Sequence, residues 1–332
     1  MNYIGSKRKL SSFLVDTIRK TVNEDLSDKT FCDIFAGTGI VGRTFKPLVK
    51  SVIANDIEHY SYVLNRNYIG NYQPLAYETL IETLNDLPPH KGFIYQHYSL
   101  EGHGERQYFS TENALKIDAI RSTIEVWREQ ESIDEDTYYF LLASLLEAAD
   151  KVANTASVYG AYLKHLKKSA QKPLHLEAAS FDCVGTEHQV YREDANKLIT
   201  HIEGDILYMD PPYNQRQYGA NYHLLNTISL YDKFEPKGKT GLREYIRSDY
   251  CVRKKVLSAF ESLVAQAKFQ YIFLSYNNEG LMSEEEVKEI MSKYGDYSLE
   301  TKAYQRFKAD KTENRNHKAD ATVEYLHILK KF

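Results

Sequence analysis

The tetrapeptide Asp210-Pro211-Pro212-Tyr213 places a carboxylate, a proline carbonyl and an aromatic ring directly after the apolar segment DILYM. Because two prolines cannot continue a central strand, the chain must leave the sheet here, at the carboxyl edge where α/β sheets bind ligands. Asp210 and the Pro211 carbonyl can each accept one N–H of an exocyclic amine, and Tyr213 can stack on the base. We therefore predict a site that acts on a nucleobase amine; the alternative is a plain strand-to-loop exit.

A glycine turn follows the apolar run TFCDIF. Gly37, Gly39 and Gly42 fit the pattern G-x-G-x-x-G, and Asp56 ends the next apolar segment, SVIAND. Such glycines let the backbone approach a cofactor, and the acid accepts hydrogen bonds from ribose hydroxyls. The pattern predicts an adenosine-containing cofactor. A tight turn without a ligand is the alternative, and a nicotinamide oxidoreductase would leave the proline-rich tetrapeptide unexplained.

A basic segment runs from Lys151 to Lys172, with five lysines, one histidine and no Asp or Glu. Cations for phosphates, interleaved with short polar side chains for base edges, are typical of a loop that reads DNA, although a solvated surface is the alternative. A second basic stretch surrounds Arg216, a candidate phosphate contact, and Asn314–Lys318 is a weaker candidate. The predicted DNA-binding residues of the basic segment are Asn154, Thr155, Ser157, Tyr159, Lys164, Lys167 and Lys168.

Alternating helices and strands are needed to position these residues. The alternation of strands and helices implies a parallel sheet. A mostly helical region interrupts this sheet. The segment YSLETKAYQRF (297–307) could pair with the last strand. We predict loops around 92–104 and at 308–320. The predicted strands are 30–35, 51–56, 188–194, 205–210, 269–276 and 322–329, and the main predicted helices are 8–22, 39–48, 57–69, 112–129, 134–153 and 251–268.

Composition restricts the class of protein. The 332 residues include 42 Lys and Arg against 46 Asp and Glu, so basic residues must be clustered locally if the partner is a polyanion. No stretch approaches the ~20 apolar residues that span a bilayer, and three scattered cysteines fit a reducing cytoplasm. We predict an α/β catalytic domain formed by 1–71 and 179–332, with a target-recognition insertion at 72–178.

The strings NYIGSK, FAGTG and DPPYNQRQYGANYHLLNT resemble the N6-adenine DNA methyltransferases of bacterial type II restriction-modification systems, in the α-ordered, Dam-like group. In that group the cofactor motif precedes the target-recognition region, and the catalytic motif follows. Here 170 residues (40–209) separate the two motifs, which fits this order. The resemblance covers most of the chain and is weakest at 72–150. It implies a Rossmann-like fold that binds S-adenosyl-L-methionine.

The resemblance also assigns roles to individual residues. Asp56 would bind the ribose of the cofactor. Asp194 would face the amine of the cofactor's adenine, although it could also be a helix N-cap. Lys7 would lie near the cofactor or the DNA backbone, with a solvated lysine at a helix start as the alternative. The complete predicted cofactor-binding set is Tyr3, Lys7, Asp33, Phe35, Gly37, Gly39, Asp56 and Asp194, and the catalytic set is Asp210, Pro211, Pro212 and Tyr213.

The implied reaction is direct methyl transfer to an adenine that is flipped out of the duplex. It requires neither a metal nor a cysteine nucleophile, and the proton finally leaves to Asp210 or water. The resemblance implies a short recognition site containing ATG, such as CATG, and a cognate endonuclease that acts independently. An RNA N6-adenine methyltransferase, an N4-cytosine enzyme and a DNA-binding module without catalysis remain alternatives.

Overall fold

The computed structural model describes residues 7–23, 25–304 and 322–332. Tyr3, the loop predicted at 308–320 and the candidate segment Asn314–Lys318 lie outside these ranges. The chain folds into two compact units. We call residues 7–57, 188–217 and 247–332 the sheet unit, and residues 58–187 and 218–246 the helical unit.

The sheet unit contains seven strands in the order β3-β2-β1-β4-β5-β7-β6. The first five strands in this order run parallel, and β7 lies antiparallel between β5 and β6. The strands are β1 (Thr30–Asp33), β2 (Ser51–Asn55), β3 (Gln189–Tyr191), β4 (Glu203–Met209), β5 (Lys268–Asn277), β6 (Gly295–Tyr304) and β7 (Thr322–Lys331).

This order confirms the predicted α/β class. Three residues of β1 and four of β2 are buried, as expected for strands covered on both faces. The predicted pairing of the last two strands is also confirmed, since Tyr297 of β6 lies opposite Leu329 of β7. Because β7 is antiparallel, its first residues lie at the same edge as the carboxyl ends of β4 and β5.

The helices of the sheet unit are α1 (Ser11–Val22), α2 (Ile40–Phe45), α8 (Ala195–Leu198), α11 (Arg253–Gln266) and α12 (Glu284–Met291). Short 3-10 helices occupy Lys7–Leu10 and Asp249–Cys251. Helix α12 begins with a capping box in which Ser283 and Glu286 satisfy each other's backbone N–H groups. Helices α8 and α11 pack against one hydrophobic cluster with β4 and β5.

The helical unit has its own hydrophobic core, to which α6 and α7 contribute most of their buried length. Asp134 caps α7 by accepting the Thr137 N–H. A π-helix occupies Arg66–Gly70. The other helices of this unit are α3 (His59–Asn65), α4 (Glu78–Asn85), α5 (Phe93–Tyr98), α6 (Thr111–Glu129), α7 (Glu135–Val152), α9 (Tyr218–Asn221) and α10 (His223–Leu230).

The loop predicted around 92–104 is wrong in part, because α5 lies within it. The Asp118 carboxylate of α6 accepts the N–H groups of Gly92, Ile94 and Tyr95, and so satisfies the donors at the start of α5. The predicted insertion, 72–178, lies within the helical unit, which also includes 58–71, 179–187 and 218–246. Within the described ranges, no helix combines the length and apolar character that crossing a membrane requires.

Candidate active site

The glycine turn follows β1 in the predicted position. Gly37 and Gly39 have φ angles of 53° and 78°, in the left-handed region that glycine adopts without strain. The Ala36 N–H donates to the Asn55 carbonyl, and the Gly37 N–H donates to Asp56 Oδ2 at 2.8 Å. The end of β2 therefore holds the turn in place, and Asp56 is one of its anchors.

Asp33 lies at the end of β1 with only 2% of its surface exposed. Its Oδ2 accepts the Gly42 N–H at 3.2 Å, whereas its buried Oδ1 has no hydrogen-bond partner among the described residues. Burial, assisted by the charges of Asp210 and Asp56, raises the pKa of Asp33 to about 8. This shift favours the protonated form of Asp33 at neutral pH. A buried oxygen without a partner is a candidate ligand contact.

The tetrapeptide Asp210-Pro211-Pro212-Tyr213 leaves β4 at the same edge. The Asp210 side chain retains 21% exposure, so it can reach a ligand. Pro211 is buried, while Pro212 and Tyr213 are half-buried. The Tyr213 side chain packs against the hydrophobic cluster, and its carbonyl accepts the Leu281 N–H at 3.0 Å. The turn is therefore fixed on both sides while its carboxylate stays accessible.

Lys7 is buried, and its ammonium group binds two carboxylates. The Nζ atom lies 2.9 Å from Asp210 Oδ1 and 3.0 Å from Glu324 Oε1. Burial by itself would lower the pKa of Lys7, but Asp210 and Glu324 raise it well above its ordinary value. The alternative of a solvated lysine is therefore wrong. The sequence analysis missed Glu324, although an acid within the apolar strand TVEYLHIL was a visible signal.

Burial raises the pKa of Asp210 to about 6. Lys7 opposes this shift, through its charge and its hydrogen bond, and Glu324 adds to it. Asp210 is therefore ionised at neutral pH and remains a stronger proton acceptor than an ordinary aspartate.

Asp194 is the N-cap of α8, since its Oδ1 accepts the N–H groups of Asn196 and Lys197 at 3.0 and 3.2 Å. The N-cap alternative is therefore confirmed. Contact between this exposed carboxylate and the adenine amine of the cofactor stays a prediction. The preceding residue is held by Asn55, a buried side chain that the sequence analysis missed. Asn55 Nδ2 donates to the carbonyls of Ile34 and Glu193, and its Oδ1 accepts the Glu193 N–H.

The charges at this edge favour a cationic ligand. Asp33, Asp56, Asp210 and Glu324 bring four carboxyl groups to this edge, and the ammonium of Lys7 pairs with two of them. Across residues 7–23, 25–304 and 322–332, no group of three or more His, Cys, Asp or Glu side chains could hold a metal ion. S-adenosyl-L-methionine carries a sulfonium and an ammonium group, and thus fits both this charge and the buried Asp33 oxygen. Phe35 adds an aromatic side chain beside the turn. Its ring contacts Tyr250 edge to face, with the ring centroids 4.9 Å apart.

Three of the predicted DNA contacts are internal to the helical unit. Asn154 is fully buried, and its side chain bonds the carbonyls of Gln107 and Leu163 and the Lys167 N–H. Tyr159 is also fully buried, with its hydroxyl on Asp150 Oδ1. Thr155 is 5% exposed. In this conformation these side chains organise the segment itself, and contact between them and DNA stays a prediction.

The lysines of the basic segment differ from one another. Lys164 and Lys168 are exposed. Lys167 is half-buried, and its ammonium donates to the Thr155 carbonyl at 2.8 Å. Ser157 is half-buried with a φ of 88°, which is strained for a residue with a side chain. Lys164 and Lys168 are therefore the best candidates for phosphate contacts in this segment.

Arg216 follows the proline-rich tetrapeptide in an exposed turn of the sheet unit. Its backbone N–H donates to Asn214 Oδ1 at 2.9 Å. The next residue, Gln217, exchanges two hydrogen bonds with the backbone of Ser248, at 3.3 and 2.8 Å. The backbone on both sides is thus fixed, while the Arg216 side chain is open to solvent.

Known proteins resemble the chain over its whole length. The sequence profile of the D12 class N6 adenine-specific DNA methyltransferases matches residues 3–290. The chain is 66% identical to the type II methyltransferase M.NlaIII of Neisseria lactamica over 332 residues, covering 100% of this chain and 99% of that protein. It is 39% identical to the type II methyltransferase M.CviAII of Paramecium bursaria Chlorella virus 1, with 93% of each chain covered.

A third relative, the type II methyltransferase M.FokI of Planomicrobium okeanokoites, is 40% identical over 354 residues, covering 100% of this chain and 53% of that protein. The two sequence motifs, their shared sheet edge and these similarities agree. The chain therefore belongs to the D12 class N6 adenine-specific DNA methyltransferases, and it is a type II modification enzyme whose methyl donor is S-adenosyl-L-methionine.

Proposed function

We propose that this chain is a site-specific enzyme that methylates N6 of a flipped adenine in a short duplex sequence, with the chemistry centred on Asp210. The observation that carries this proposal is the position of an ionised, accessible carboxylate at the edge where the glycine turn and Asp33 lie. When bound, S-adenosyl-L-methionine supplies an electrophilic methyl group on its sulfonium. The residues of the chain then have to bind the cofactor and activate the amine.

The cofactor role falls to the ends of β1 and β2. Gly37 and Gly39 let the backbone approach the ligand closely. Asp33 faces the cationic methionine end of the cofactor. Asp56, which already accepts the Gly37 N–H, accepts hydrogen bonds from the ribose hydroxyls of the cofactor. Asp194 remains the candidate for its adenine, because it is exposed beside the Asn55 network.

The amine role falls to the tetrapeptide. The N6 lone pair of adenine is delocalised into the ring, which makes it a weak nucleophile. Acceptance of its two N–H bonds by Asp210 and the Pro211 carbonyl favours a tetrahedral nitrogen, on which the lone pair is localised. Tyr213 holds the flipped base by stacking, which offsets part of the few kcal/mol that unstacking costs.

The direct test is long-read detection of N6-methyladenine in plasmid DNA from cells that express the chain. We expect methylation of adenines in one short motif, with CATG as the proposed sequence, and none in cells that express Asp210→Asn. Activity on transcribed RNA but not on duplex DNA would contradict the proposal. Binding of DNA and labelled cofactor without transfer would instead indicate a binding module.

Substitution of Asp56 by alanine should weaken S-adenosyl-L-methionine binding by about tenfold. The reason is the loss of a charged acceptor for the ribose, which contributes ~1.5 kcal/mol at a half-exposed position. Calorimetry with the purified protein measures the change. Asp56→Asn separates the charge from the turn, because it keeps an acceptor for the Gly37 N–H while it removes the charge; weaker binding is expected there too. Full affinity in Asp56→Ala, at an unchanged melting temperature, would remove Asp56 from the site.

Neutralisation of Lys164 and Lys168 should weaken DNA binding and flatten its salt dependence by about one unit for each lysine that contacts a phosphate. Both side chains are exposed, so substitution by alanine leaves the core intact. DNA affinity is measured across a salt series, with Lys151→Ala as a control, because Lys151 already pairs with Glu177. An unchanged slope in the double variant would make these lysines an ordinary solvated surface.

The setting proposed for this activity follows from its substrate. Methylation of genomic DNA places the enzyme in the bacterial cytoplasm, as the modification partner of an endonuclease that cleaves the same sequence independently. A gene for such an endonuclease beside that of this chain would support the pairing. Arg216, exposed next to the tetrapeptide, is the proposed contact for a phosphate of the flipped nucleotide.

A further inference from the structure

Glu324 is a buried acid within the antiparallel strand β7. Only 3% of its surface is exposed; its Oε1 forms an ion pair with Lys7 Nζ at 3.0 Å and accepts a hydrogen bond from Ser275 Oγ at 2.6 Å. Ser275 belongs to β5, whose neighbour β4 ends immediately before Asp210. Because β7 is antiparallel, its first residues lie at the edge where β4 and β5 end. Three neighbouring strands thus contribute to one polar network.

Lys7 is the link between Glu324 and Asp210. Its ammonium donates a hydrogen bond to Asp210, pairs with the charge of Glu324, and lies almost completely inside the protein. A buried ammonium needs acceptors for its N–H groups, and a buried carboxylate needs donors, because neither is hydrated. Without Glu324, the charge of Lys7 would act on Asp210 alone, and the lysine stem would have no second anchor. Asp210 would then be bound more tightly and would accept a hydrogen bond from an amine less readily.

We propose that Glu324 is a positioning residue for methyl transfer: it shares the Lys7 ammonium with Asp210, and thereby fixes the Asp210 carboxylate while leaving it a strong hydrogen-bond acceptor for the target amine. This inference rests on the proposed role of Asp210. Glu324 itself does not contact the amine or the cofactor in this scheme. Ser275 completes the arrangement by fixing the Glu324 oxygen that receives Lys7.

The electrostatics determine how a variant should behave. Burial raises the pKa of Asp210 to about 6, Lys7 opposes this, and the charge of Glu324 raises the pKa further. Asp33 and the buried phenol of Tyr208 also interact electrostatically with Asp210. The ionised carboxylate of Asp210 is a much stronger acceptor of an N–H than the protonated group, so the rate of transfer should rise with pH through its pKa. Loss of the Glu324 charge lowers that pKa, and the acidic limb of the profile should move to lower pH.

The test is single-turnover methyl transfer by Glu324→Gln, at saturating S-adenosyl-L-methionine and duplex DNA, from pH 5 to pH 9. We expect the plateau rate to fall by about tenfold, the size of loss seen when groups that orient a functional residue are removed. We also expect the acidic limb to move to lower pH. Glu300→Gln on β6 is the matched control, because it removes the same charge from an exposed side chain of the neighbouring strand, and it should leave both quantities unchanged.

Glu324→Asp separates charge from position. It keeps the negative charge but withdraws the carboxylate by one methylene, so we expect a slower rate with the acidic limb at its wild-type pH. This variant carries the test if Glu324→Gln does not fold. Wild-type rates in the folded variant would overturn the inference. So would normal transfer at saturating cofactor with greatly weakened cofactor binding, because Glu324 would then belong to the cofactor site.

Different variants test the role of Glu324 and the role of the tetrapeptide. An inactive Asp210→Asn beside a Glu324→Gln variant with the wild-type rate and pH profile would leave the function standing and remove the role of Glu324. A fully active Asp210→Asn would remove the function proposed for the tetrapeptide, whatever Glu324→Gln does.

Discussion

Replacement of Asp210 by asparagine should slow single-turnover methyl transfer to duplex DNA by at least ~10²-fold, the cost of removing one positioned transition-state hydrogen bond. Asparagine keeps the shape of the side chain, but it replaces one acceptor oxygen by a donor that faces another donor. The bond from N6 to Asp210 strengthens as the nitrogen becomes tetrahedral. Its loss should therefore lower the rate with little effect on substrate binding.

The fold should tolerate this change, because 21% of the Asp210 side chain is exposed and Glu324 continues to bind Lys7. We expect similar affinities for DNA and cofactor and a small change in melting temperature. Asp205→Asn is the matched control in the first half of β4, where the carboxylate accepts the Thr30 N–H. Near-normal transfer in Asp210→Asn would show that the tetrapeptide is only a structural exit from the strand.

Most of the sheet was predictable because its signals are local. Short apolar runs identified β1, β2, β4, β5 and β7, of which β1 is followed by the glycine turn and β4 by two prolines, and the strand boundaries are close to those predicted. The pairing of β6 with β7 followed from two alternating segments near the end of the chain. The edge where Asp33, Asp56 and Asp210 meet then followed from the parallel connection of these strands.

Contacts between distant parts of the chain were not predictable. Helix α5 forms an aromatic-rich segment, FIYQHY, whose N-terminus depends on Asp118, 23 to 26 residues further along the chain. The short-range pattern around Asn154 and Tyr159 resembled a DNA-reading loop, yet both side chains are buried by partners such as Gln107 and Asp150. Residue type predicts the chemistry that a side chain can do, whereas burial decides whether it can reach a ligand.

The affinity of the apo protein for S-adenosyl-L-methionine should depend strongly on pH because of Asp33. Its pKa is raised to about 8 by burial and by the charges of Asp210 and Asp56, so at neutral pH most of the protein carries a proton there. The cationic end of the cofactor favours the ionised carboxylate. Binding must then release the proton, and below pH 8 the affinity falls as fewer molecules are ionised. The expected loss between pH 8 and pH 6 is on the order of 50-fold.

Calorimetry in two buffers of different ionisation enthalpy measures this proton directly. At pH 7, the binding of S-adenosyl-L-methionine to the wild-type protein should release nearly one proton to the buffer. Asp33→Asn is the control, because asparagine retains an oxygen for the Gly42 N–H but cannot ionise. In that variant proton release should disappear and the affinity should be weak at every pH, which also separates Asp33 from titration of the cofactor's own amine. Equal affinities of the wild-type protein at pH 6 and pH 8 would show that Asp33 does not face the cationic end of the cofactor.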